Sequence, residues 1–225
     1  MKCIFRSGIL ATALLLATPA LANGEGDQAE RLQSYEAALD QAKARLDVVS
    51  WQVLENNQKL WIEKRQHLEE QLSALLADKS ITPAKADKIR GEWSHQRIGF
   101  ISDIQAKAPL RIRGGWSNGF TEILIDLAEK TSDTPVRARL VSMGRDKDSK
   151  RVFCKIDGSV IQNADDLILT PDTGATHPLR LRRLGVALSI ESQGDVFTLC
   201  SAEAKPTGEF FNIEGAEVLF PILLY

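Results

Sequence analysis

Proline and glycine are missing from one long stretch, Asp27 to Asp78, although 15 glycines and eight prolines occur among the 225 residues. Without either breaker this stretch reads as one long helix or two nearly continuous ones. Cysteine is scarce, with Cys3, Cys154 and Cys200 only, and there are three histidines. No histidine is spaced with the cysteines as a zinc site requires. Charge of one sign is also lacking. A net charge of −2 argues against a general nucleic-acid or polyanion binder. After the first 22 residues nothing approaches the ~20 consecutive apolar residues of a transmembrane helix.

Those first residues read as an export signal. Lys2 and Arg6 are followed by the apolar run Ile9 to Leu16, then by Pro19 and the small-x-small site Ala20-Leu21-Ala22. Cleavage after Ala22 is the expectation, and a retained anchor is the alternative. The product would be periplasmic or secreted, from a bacterium, with about 203 residues in segments 23–108 and 109–225. Cleavage leaves Cys154 and Cys200, an even pair that reads as one disulfide in an oxidising compartment. Closing a loop of about 45 residues, it would contribute up to ~4 kcal/mol. Two buried free thiols are the other reading.

The proline-free stretch carries two apolar phases. Leu32, Leu39, Leu46, Val53 and Leu60 recur every seven residues, with Tyr35, Ala42 and Val49 three places after the first three. From Leu54 a second series runs through Trp61, Leu68 and Leu75, turned by about 100°. Thr82-Pro83 starts another helix, with Thr82 as cap and Pro83 in the first turn, and Pro109 ends it. The second helix should fold back on the second seam, placing Trp93 opposite Leu68 and Phe100–Ile101 opposite Trp61. The first seam, Leu32 to Val53, is then left without an internal partner. It is expected to bind a second copy or a partner protein, giving a homo- or hetero-oligomer; the alternative is that it bends back onto the following domain.

Beyond Pro109 the apolar period falls to two. Leu110–Arg113 and Val136–Leu140 read as strands, and Phe120, Ile123, Leu124 and Leu127 as one face of a helix between them. Val152–Ile156 and Ser159–Gln162 read as a hairpin turning at Asp157-Gly158. Leu179–Ile190 and Val196–Cys200 read as another antiparallel pair around Ser192–Asp195, and Val218–Tyr225 as a terminal strand. The expectation is an α+β chain: a long coiled-coil hairpin, then a small, mainly antiparallel sheet of ferredoxin-like order. Pro109 to Met143 resembles the strand, Gly-aromatic turn, helix and strand of PilO-type and GspM-type proteins. That resemblance implies a periplasmic assembly component of a type IV pilus or type II secretion system.

Three strands carry Arg-x-Arg pairs: Arg111/Arg113, Arg137/Arg139 and Arg180/Arg182. Alternation puts each pair opposite its strand's apolar residues, forming a candidate face for an anionic partner, including envelope components. A solvated face with interleaved Asp and Glu is the plainer reading. Asp172-Thr173-Gly174 matches half of an aspartic-protease signature, but only one copy occurs and that chemistry needs two aspartates. His67, His95 and His177 have no nucleophile signature nearby. No catalytic constellation, cofactor or metal is expected. The reading is a non-enzymatic periplasmic scaffold or interaction protein. The alternative is a secreted enzyme or inhibitor whose arginine face binds an anionic ligand.

Overall fold

The structure, a computed structural model, describes residues 25–109, 112–127, 136–145, 150–163, 165–172, 177–194 and 200–213. The expected leader, Arg111, Thr173–Ala175, residues 196–199 of the expected strand Val196–Cys200 and the expected strand Val218–Tyr225 lie outside them.

The proline-free stretch is two helices, α1 (Glu25–Arg45) and α2 (Val48–Ala77). Asp47 breaks it. Its carboxylate accepts from the Ser50 amide at 2.9 Å and caps α2, a stronger local preference than helix continuation through an aspartate. The chain reverses here, so Tyr35 of α1 stacks on Trp61 of α2 with centroids 5.5 Å apart. Helix α3 (Pro83–Asp103) starts where the sequence indicates, with the Lys85 amide donating to Thr82 Oγ1 at 3.2 Å. It runs antiparallel to α2, as Arg90–Glu69 and Arg97–Asn57 contacts show, and parallel to α1. The result is a three-helix bundle, not the expected two-helix coiled coil. The first seam does have an internal partner: Ala42 and Val53 are buried, and Tyr35, Leu39 and Leu46 pack partly buried beside them.

The second half is a closed, eight-stranded antiparallel barrel in which every strand pairs with its neighbours in sequence. The strands are β1 (Gly114–Ser117), β2 (Glu122–Leu127), β3 (Val136–Arg145), β4 (Arg151–Asn163), β5 (Asp166–Pro171), β6 (Leu179–Leu184), β7 (Ala187–Ser192) and β8 (Gly208–Asn212). Closure comes from Trp116↔Asn212 and Ser117↔Phe211. This replaces the expected open ferredoxin-like sheet, and three local readings change with it. The expected helix at Phe120–Leu127 is β2. Ile123, Leu124 and Ile125 are all buried there, so the run lacks the alternation of a half-exposed strand. Asp157-Gly158 is not a turn but the middle of β4. A Cβ on Gly158 would run into the Thr170 carbonyl of β5, so glycine serves close strand approach there. Finally, Leu179–Ile190 is itself a hairpin, β6 and β7, turning at Gly185.

Inward side chains such as Trp116, Leu140, Ile156, Leu188 and Phe210 fill the barrel. A second core joins the bundle to the barrel wall, with Leu54, Phe100 and Ile101 against Val186, Ala187 and Phe211. Phe100 meets Phe211 edge to face at 6.1 Å. Past α3 the backbone continues this junction, since the Gln105 amide donates to the Asn212 carbonyl at 3.0 Å. At the β6–β7 turn, the Val186 amide donates to Ser50 Oγ at 2.8 Å.

Gly185 has φ +62°, and a Cβ there would strike Ser50 Oγ and the Asp47 carboxylate. Gly185→Ala should therefore destabilise the protein by about 2 kcal/mol or more in urea unfolding. Gly99 in α3 has open space around it, so Gly99→Ala should be neutral to stabilising by up to ~1 kcal/mol. A neutral Gly185→Ala would contradict the placement of this turn against the α2 cap.

Candidate functional site

The described members of the arginine pairs stand on the outer wall of the barrel, as alternation requires. Cross-strand register sets Asp126 beside Arg139 and Arg139 beside Asp157. Arg113 joins the row before β1, with Nε 3.1 Å from Asp126. Arg139 Nε donates to Asp157 at 2.7 Å, Lys155 lies 3.4 Å from the same carboxylate, and both Nη atoms of Arg137 donate to Asp172. Charges thus alternate from Arg113 through Asp126 and Arg139 to Asp157, and Asp172, just past β5, lies beside Asp157. A groove of about 450 Å3 follows this row between Asp126 and Asp172. Around the wall, Arg180 and Arg182 share Asp166, at 2.6 and 2.9 Å. Every described member of the three pairs therefore has a carboxylate partner, and Arg111 lies outside the described residues. The pairs of the row are substantially exposed, so solvent screening leaves each a small contribution to stability, whereas Asp166 is itself buried.

Electrostatics follow the geometry. Burial alone would raise Asp157, but the Arg139 hydrogen bond and charge, with Lys155, outweigh it and hold the carboxyl below its ordinary value. The hydrogen bond from Arg137 lowers Asp172 likewise. In the row, Arg113, Arg137, Arg139 and Lys155 face Asp126, Asp157 and Asp172, one cation in excess.

The expected partner seam is divided. Ala42 and Val53 are inside the bundle junction, Tyr35, Leu39 and Leu46 are partly covered, and Leu32 and Val49 are exposed. Val48, beside the α2 cap, is 86 % exposed. Leu60, Ile62 and Leu75 add further exposed apolar side chains on α2. Cys154 and Cys200 form the expected disulfide, with Cα atoms 5.3 Å apart.

Sequence reasoning passed over Arg97, which lies in α3 between Gln96 and Ile98 and reads as a surface residue. It is 2 % exposed. Its Nη1 donates to Asn57 Oδ1 at 2.7 Å and its Nη2 to Gln58 Oε1, while Asn57 Nδ2 donates to the Asn118 carbonyl at 3.0 Å. The guanidinium stacks near the Phe100 and Trp61 rings, 5.0 and 5.7 Å from their centroids. Its Nε has no partner, and no carboxylate is among its contacts in the described residues. Burial lowers Arg97 to about 10, with Tyr35 opposing the shift, so the group is charged at neutral pH. Burial correspondingly raises Tyr35. This knot ties α1, α2, α3 and the β1–β2 turn together.

Ser34 and His95 line a second groove, between α1 and α3, of about 430 Å3 and have no hydrogen bond between them. His67 contacts its helix neighbours Glu70 and Gln71. Among the described residues no group of three His, Cys, Asp or Glu side chains could hold a metal ion. No protein-family model, curated protein or solved structure matches the chain.

Asn57→Ala removes an acceptor from a buried cation and the donor to Asn118, and should cost about 3 kcal/mol. Arg97→Met removes the charge with the cavity filled, and should cost less in the same urea titration. The reverse order would contradict the knot. Because Asp157 and Asp172 titrate below their unfolded values, they stabilise the fold above about pH 4. That contribution disappears as pH falls through their lower folded values. The unfolding midpoint should drop between about pH 5 and pH 3, and less steeply in Asp157→Asn.

Proposed function

We propose that this protein is an exported, non-enzymatic interaction module of the bacterial envelope, with the helical bundle as its docking element and the barrel as a rigid mount. The observation that carries the reading is the distribution of exposed apolar side chains. Leu32, Val48, Val49, Leu60, Ile62 and Leu75 are on the bundle, whereas only Phe153 and Ile161 are found among the described barrel residues. Isolated exposed leucines are ordinary, but adjacent valines at a helix start, one of them almost fully solvated, favour a contact surface. The partner is then a protein with an apolar patch, and the contact uses the outside of the bundle rather than a coiled-coil seam. Pilus and secretion machines are the class of assembly named by the resemblance at Pro109–Met143. That segment folds as strand, turn, strand and strand, so the resemblance supplies a setting and no geometry.

The arginine face supports the second reading, an anionic ligand on the barrel, less well. The one surplus cation favours it, but such a ligand must first break an Arg–Asp pair, and its binding should fall steeply with salt.

The test is a photocrosslinker placed at Val48 or Val49 and, as a control, at exposed Lys88 in envelope fractions. A discrete protein adduct from Val48 or Val49, absent from Lys88, is expected. Adducts from neither valine, or equally from Lys88, would overturn the docking assignment.

A further inference from the structure

The groove on the barrel wall and the groove between α1 and α3 have similar volumes and opposite chemistry. On the wall, Asp126, Arg137, Arg139, Asp157 and Asp172 are all engaged in ion pairs. Between the helices, Glu30, Arg31 and Ser34 of α1 face Gly91, His95 and Ile98 of α3. Among the described residues, no ion pair or hydrogen bond engages the side chains of Glu30, Arg31, Ser34 or His95. Four unengaged polar groups thus converge on one groove of about 430 Å3 that also offers Ile98.

Helical phase opens this flank. Ser34 and His95 are one and two residues from Tyr35 and Arg97, which face α2. At about 100° per residue both turn off that face, and α2 leaves them uncovered. Gly91 has no side chain to fill the floor between them. A Cβ there would come within 3.3 Å of Arg31 Nη1, so the guanidinium crosses from α1 to α3 over this glycine. Burial then sets the sign. Glu30 is exposed at the rim, whereas Arg31 is partly buried, so the interior of the groove is cationic. An anion meeting Arg31 gains a charge-assisted hydrogen bond without first breaking an ion pair, unlike one on the arginine wall. The walls are two parallel helices, and a channel of that shape fits a third helix.

We propose that this groove receives one helix of the partner protein, apolar on its contact face and carrying an Asp or Glu that pairs with Arg31. The inference rests on the docking role proposed for the bundle and names the chemistry that role selects. Ser34, three residues from Arg31 and on the next turn of α1, donates its hydroxyl to the same carboxylate. Apolar side chains of the incoming helix cover Ile98 and the bare backbone at Gly91. Glu30 at the rim repels a second carboxylate, so the groove selects a helix with one acidic residue on this face over a broadly acidic one.

The experiment puts a photocrosslinker at exposed Ala37, the next turn after Ser34, in full-length protein in envelope fractions, with exposed Thr170 on the barrel as control. A discrete adduct from Ala37, absent from Thr170, is mapped by mass spectrometry, and the linked partner peptide is synthesised as the binding probe. Arg31→Gln should bind this peptide at least about tenfold more weakly than wild type, and Arg31→Lys should recover part of the loss. Changing the peptide's Asp or Glu to the amide should weaken binding to wild type and add nothing in Arg31→Gln. The urea midpoint of Arg31→Gln should match wild type, since no protein partner is lost. Equal peptide binding by wild type and Arg31→Gln overturns the carboxylate pairing. An adduct joining two copies of this chain overturns the partner assignment in favour of self-association. No adduct from Ala37 beside one from Val48 or Val49 overturns the groove and leaves the bundle's docking role standing. No adduct from any of the three overturns both.

Discussion

A protonated guanidinium sealed from water, with neutral partners only among the described residues, is the constraint on which the arrangement of the two halves depends. Arg97 can remain buried only while Asn57 and Gln58 of α2 supply acceptors and the Phe100 and Trp61 rings cover its faces. Asn57 is in turn fixed by the Asn118 carbonyl of the barrel. Sliding the bundle by one helical turn would strand that charge, at a cost of several kcal/mol. Apolar contacts such as Phe100 on Phe211 supply much of the attraction across the junction, and the polar knot sets its register.

Barrel and bundle differ in what they leave exposed. Closure satisfies the barrel's backbone edges, and its charged wall is internally paired, from Arg113–Asp126 to Arg182–Asp166. Such a wall has most of its charges already paired. The bundle buries only one side of α1 and α2 and leaves Val48, Val49 and Leu32 in solvent. The contrast between a self-satisfied mount and an incompletely satisfied set of helices underlies the functional proposal.

Local chemistry made several features legible. Thr82-Pro83 announced α3, an even cysteine pair announced the disulfide, and alternation put Arg137 and Arg139 on the outer wall. The heptad reading failed because a seven-residue repeat can be counted straight through a chain reversal. Asp47-x-x-Ser50, an N-cap signal, was the clue to that break. Barrel closure had no local signature, since Trp116 and Asn212 meet from distant parts of the chain. β2 was misread as a helix because burial on both faces erases alternation. Arg97 was illegible because only tertiary context distinguishes a buried arginine from a solvated one.

The central claim is that the Tyr35, Ala38, Leu39 and Ala42 face of α1 is covered by its own chain. Amide hydrogen exchange across α1, followed over a wide range of protein concentration, tests it most directly. Protection of this segment should be present in the most dilute sample and should not change with concentration. Protection that appears only as the protein self-associates would contradict the account and return the first seam to an intermolecular role.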